Sequence, residues 1–154
     1  MSEFETLYGE LKGDMQTIAT PLLDFAQQQV RLRGMFLPFG ASLDDAGQIT
    51  LAAAGTEREM ASSIEILPIL HDGLRDAAAR GKTTAIAVCE WVKITPQGGA
   101  QTDAIKVLVE HVRGLTVAFY LPCRKRMLRG WQFGEMIALP ADPEVRAWGA
   151  AGTR

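Results

Sequence analysis

The densest charge in this chain is Arg124-Lys125-Arg126, followed by Arg129. Tyr120, Trp131 and Phe133 flank it. Cations interleaved with aromatic rings can hold an anionic ligand or a single nucleic-acid strand, through charge and stacking. A basic turn between two strands is also an ordinary solvated feature. Arg124, Lys125, Arg126, Arg129, Tyr120 and Trp131 are therefore the candidate ligand- or partner-contact residues. The formal net charge of −2 argues against a general nucleic-acid binder. A small anionic ligand at the 124–129 loop remains compatible with it.

Other residues invite chemistry and fall short of it. Gly81-Lys82-Thr83 resembles the end of a phosphate-binding loop. However, Asp76 stands where the first glycine belongs, and the segment leads into a strand rather than a helix N-terminus. No cofactor is indicated. The two histidines, His71 and His111, lie on distant segments. A metal needs three or four converging ligands, so no metal site is expected. His71 lies on an apolar helical stripe and is expected to be hydrogen-bonded and partly buried. Glu90, Glu110 and Glu135 all fall within expected strands, where charges must reach solvent or a partner. Lys93 and Lys106 are the obvious answering charges. A carboxylate pair for hydrolysis needs two of the three facing one cleft, about 5 to 9 Å apart. Cys89 and Cys123 form no C-x-x-C pair. The cations after Cys123 would lower its thiol pKa if they faced it. The small-residue role is the simpler one for both cysteines.

These residues need a scaffold, and the hydrophobic pattern supplies one. Residues 3–33 read as helical, with Pro21 marking either a kink or the start of a second helix. Gly34 ends this stretch behind Arg31 and Arg33. Met35 to Leu43 and Gln48 to Ala54 read as a hairpin turning at Asp44–Gly47. Pro38 marks an edge or a bulge. Thr56 and Glu59 fit a capping box for a helix running to about Arg80. Its expected stripe is Met60, Ile64, Leu67, His71, Leu74 and Ala78. Pro68 and Gly73 predict a kink there. Extended segments follow at Thr84 to Ile94, Asp103 to Val112, Leu115 to Cys123 and Trp131 to Leu139. A two-residue turn at Arg113-Gly114 would set Leu108 opposite Phe119 and Val107 opposite Tyr120.

The expected fold class is α+β: an antiparallel sheet of five to six strands in the order helix–β–β–helix–β–β–β–β. At 154 residues the chain suits one domain, spanning 1–148, with a flexible tail at 149–154. The composition is 47% hydrophobic, ample for a core. No secretory signal or membrane span is visible, and the cysteine usage suits a reducing cytoplasm.

Phe36-Leu37-Pro38-Phe39-Gly40-Ala41, Asp103 to His111 and Phe133-Gly134-Glu135 resemble segments of small uncharacterised bacterial α+β proteins. The element order is similar to that of roadblock and profilin-type domains, and loosely to type III secretion chaperones. The resemblance implies a binding module, often dimeric, and carries no catalytic residue. The sheet reads as apolar on both faces, so its second face needs a helix or another subunit. The leading expectation is a non-catalytic interaction module, forming a homodimer. The alternatives are an immunity-like or chaperone-like protein holding a larger partner, and a ligand binder or enzyme using Glu110, Glu135 or His111 with the 124–129 loop.

Overall fold

In the computed structural model, which describes residues 2–53 and 63–148, the first helix begins where Ser2 caps it. The Ser2 hydroxyl accepts from the Glu5 amide at 3.1 Å, with Glu3 and Glu5 in the positive first turn. Helix α1 then runs unbroken over Glu3–Arg33. Pro21 continues it rather than starting a second helix. One buried row, Leu11, Met15, Ile18, Leu22, Ala26 and Val30, passes straight across that proline. Arg31 and Arg33 sit in the last turn, and Gly34 closes it at φ 79°, donating its N–H to the Val30 carbonyl.

Strands β1 (Phe39–Asp44) and β2 (Ile49–Ala52) form the expected hairpin. The Asp44 carboxylate accepts from the Ala46 and Gln48 amides, which fixes the turn. Helix α2 (Ser63–Ala79) follows. The expected capping box at Thr56–Glu59 lies outside the described residues. Strands β3 (Thr83–Ile94), β4 (Thr102–His111), β5 (Thr116–Arg126), β6 (Gly130–Phe133) and β7 (Ile137–Pro140) complete an antiparallel seven-stranded sheet. Its order is β2-β1-β3-β4-β5-β6, with β7 also paired to β5.

Three local expectations change. The β4–β5 connection is a three-residue loop, Val112 to Gly114, closed by His111 N–H to Leu115 carbonyl at 2.8 Å with Gly114 at φ 90°. Register therefore slips by one: Leu108 faces Ala118, and Val107 faces Phe119. A one-residue slip exchanges faces, so Phe119 joins Val107 rather than Leu108. Next, the stretch from Trp131 to Leu139 is two strands. Gly134 donates to the Pro122 carbonyl at 2.8 Å. Pro122 has no N–H to return on that side, so the ladder lapses there and resumes at β7. Last, α2 buries Ile66, Leu70, Leu74 and Ala78, an i, i+4 row, while Ile64 is 85% exposed.

Both faces of the sheet have cover. Helix α1 packs on Ala41, Ala87, Cys89, Ile105, Val107, Val109 and Val117. An aromatic chain closes its C-terminal end: Phe25, Phe39, Phe36, Trp91 and Trp131 follow one another in ring contact. On the opposite face α2 packs Leu70 and Leu74 against Ile86 and Val88, and Val145 completes that second core. The cover is thus a helix on each side, with the segment after β7 extending it on the α2 side.

Candidate functional site

The alternation of side chains along a strand decides which candidates can meet. His111 shares the α1 face with Ala85, its partner across the ladder. The Arg113 amide donates to His111 Nδ1 at 3.1 Å, so Nε2 carries the proton and meets the Asp14 carboxylate at 2.9 Å. That ties the end of β4 to α1. His71 lies on α2, across the sheet. Its buried Nε2 has no hydrogen-bond partner among the described residues, against the expectation of a bonded histidine. Burial, then the Arg75 guanidinium, lowers its pKa below 6.5. The two histidines stand on opposite sides of the sheet.

Glu110 is on the α2 face and 3% exposed. Its Oε2 accepts from the amides of Glu144 at 2.9 Å and Val145 at 2.7 Å. Its Oε1 accepts from Arg146 at 2.9 Å and Ala147 at 3.3 Å. Four successive N–H groups around one carboxylate form a nest, and Arg146 takes φ 58° to complete it. Arg75 Nη1 donates to the Val145 carbonyl at 2.7 Å, and Asp72 holds the same guanidinium. Both oxygens of Glu110 are thus engaged in holding residues 144–147 on the sheet.

Glu90 and Lys106 face each other on the same side of the sheet. The Lys106 ammonium lies 2.7 Å from Glu144 and 4.0 Å from Glu90. Burial works against its charge, but the Glu144 hydrogen bond and the two carboxylates hold its pKa above the ordinary lysine value. Burial also raises the Glu90 pKa, with Lys106 opposing. Glu135 is not in a strand; it is exposed in the link between β6 and β7. Lys93 pairs with Asp103 at 3.0 Å instead of with a strand glutamate. Among the described residues no three His, Cys, Asp or Glu side chains group to hold a metal.

The basic cluster is a β-hairpin. Arg124, Lys125 and Arg126 belong to β5, and Arg129 lies in the turn that leads to β6. Met127 and Leu128 at its tip are 91% and 103% exposed. Arg126, Arg129, Trp131 and Gln132 share a shallow pocket of about 310 Å³. Arg124 and Lys125 line a second hollow with Lys93 and Asp103. Trp131 sits opposite Lys125, on the α1 face. Tyr120 faces the other way, opposite Lys106 and Ile137. It lines an apolar cleft of about 490 Å³ with Ile94, Pro96, Ile137 and Leu139. The hairpin therefore gathers Arg126, Arg129 and Trp131 and leaves Tyr120 out.

The segment after β7 carries no signal of its own in the sequence. The sequence marks a strand end at Pro140 and assigns nothing to residues 141–148, which form a strap on the sheet. The available signal was Glu110 itself, a carboxylate amid the apolar run Val107-Leu108-Val109. Such a charge needs several donors, and a sheet interior does not supply them. The tail expected at 149–154 lies outside the described residues. No described helix is long and apolar enough to cross a membrane. Comparison with protein-family models, with curated proteins and with solved structures finds no match for this chain.

Proposed function

We propose that this chain is a non-catalytic protein-interaction module of the bacterial cytoplasm that pairs with a second copy of itself through the β7 side of its sheet. The observation that carries the reading is the apolar cleft of Ile94, Pro96, Tyr120, Ile137 and Leu139 beside a strand without a single charge. Proteins that must stay apart protect such edges with charges, bulges, prolines or shortness, and β7 has only its four-residue length and its terminal Pro140. Here β7 reads Ile-Ala-Leu-Pro, with Leu139 and the preceding Met136 each 49% exposed. A stable interface buries about 800 Å² on each partner. The cleft and Met136 supply the apolar centre, and the outer edge of β7 supplies main-chain groups for pairing. The opposite edge strand, β2, is also uncharged, but the chain after it lies outside the described residues. Two buried free cysteines fit a reducing compartment.

Light scattering at tens of micromolar tests the reading. A dimer is expected, converted to monomer by Leu139→Lys with an unchanged circular-dichroism spectrum. A native chain that is monomeric across that range overturns it. The pocket of Arg126, Arg129 and Trp131 supports a second reading, an anionic ligand at the hairpin. Salt-sensitive binding of a phosphorylated or sulfated probe, lost in Arg126→Ala, would favour it.

A further inference from the structure

We propose that the surface beneath residues 141–148 is a peptide-binding site, and that this segment is its occupant in cis. The inference stands apart from self-association through β7, because oligomeric state tests one and peptide binding tests the other.

The strap contains no helix and no strand. Its main-chain link to the sheet is the Ala141 amide on the Thr116 carbonyl at 3.1 Å. Besides the packing of Ala147 and Trp148 on the α2-side core, three contacts that hold it have the form of ligand recognition. One buried carboxylate, Glu110, collects four consecutive amides. One guanidinium, Arg75, reads the Val145 carbonyl between them. One side chain, Val145, is fully buried against Leu74 and Val88. The first two contacts engage main chain alone and are indifferent to sequence. The third admits a β-branched apolar residue. The positive φ of Arg146 is a conformation that residues other than glycine rarely adopt, and it brings the amides onto the carboxylate.

Lys106 adds selectivity. It binds Glu144 of the strap at 2.7 Å and keeps Glu90 at 4.0 Å, so a carboxylate stays beside it when the strap leaves. The occupant in trans is therefore a peptide with an acidic residue immediately before a Val-sized apolar one, as in Glu144-Val145. It would turn its next amides onto Glu110. A partner protein bearing that pattern would displace the strap.

The test uses the full chain carrying Val145→Asp. This frees the strap and leaves Glu110, Arg75 and Lys106 intact. A fluorescent peptide spanning residues 141–148 is added, and binding is read by anisotropy. In the native chain the tethered strap competes at an effective concentration on the order of millimolar. Val145→Asp is accordingly expected to bind the peptide at least about tenfold more tightly than the native chain. Adding Glu110→Gln should abolish that gain, and so should the Val-to-Asp change in the peptide itself. Hydrogen exchange at the β4 amides checks the fold in the same samples. Protected β4 amides without peptide binding overturn the proposal. Loss of β4 protection in Val145→Asp also overturns it, since the strap would then be part of the core rather than an occupant.

Discussion

The Glu110 carboxylate and the Val145 amide nitrogen lie 2.7 Å apart, joined across 35 positions of the chain. The contact sets the last described stretch of the molecule on its sheet, and it does so with a charge that the sheet alone could not satisfy.

Replacing Glu110 with Gln keeps the shape but turns one acceptor into a donor. The new NH₂ would face two amides that also donate, at either the 144–145 or the 146–147 end. Leaving buried donors unmatched costs about 1–3 kcal/mol each, so Glu110→Gln should destabilise the chain by about 3 kcal/mol. Urea denaturation measures this. A loss below about 1 kcal/mol would show that the carboxylate contributes little to holding the strap.

The contact also explains what was legible in advance. Elements fixed by neighbours in sequence were readable: the Gly34 stop, the Asp44–Gly47 turn, and the helix–β–β–helix–strands order. What depended on distant partners was not. The division of β6 from β7 follows from Pro122 on the adjacent strand, and the buried row of α2 was chosen by Ile86 and Val88 beneath it. The β4–β5 register turned on one extra loop residue, which the dipeptide Arg113-Gly114 alone does not reveal. Of the candidate site, the basic cluster was visible as composition. That Tyr120 lies on the face opposite Trp131 followed only from strand phase.

Gly40 and the glycines of α1 should respond to the same substitution with opposite signs. A Cβ at Gly40 would overlap the Ala87 carbonyl oxygen, in backbone that cannot move aside. Gly40→Ala should therefore cost about 3 kcal/mol, the upper range for overpacking. Gly9 and Gly13 have nothing within 4 Å of an added Cβ. Gly9→Ala and Gly13→Ala should each stabilise by about 0.5–1 kcal/mol, because alanine restricts the unfolded chain and suits a helix interior. Parallel thermal melts of the three variants check the contrast.

His71 makes stability depend on pH. Burial and Arg75 resist its protonation in the folded state, while the unfolded histidine titrates near 6.5. Between those two values the unfolded chain binds more protons, so stability falls as pH drops below 6.5 toward the lowered native pKa. Glu144, Glu110 and Asp72 oppose the shift and limit its size. In His71→Gln this part of the slope should vanish. Chemical denaturation across that window measures it, and an NMR titration of His71 should give a midpoint below 6.5.

The thiols should be silent in the native protein. Cys123 was placed beside three cations by sequence, which favours a thiolate. The strand turns its side chain onto the α1 face, away from Arg124 and Arg126, where it is 1% exposed and lies 3.2 Å from the Leu121 carbonyl. Burial pushes its pKa up to about 12. Cys89 is fully buried in the same core, and burial, then Glu90, raises its thiol well above the ordinary range. Because the thiolate is the reactive form, a disulfide reagent at neutral pH should label neither cysteine until the sheet opens. Both should then react together, at a rate that falls when α1 is stabilised by Gly9→Ala. Prompt labelling of Cys123 in the folded chain would mean that β5 frays from β4 at the basic hairpin.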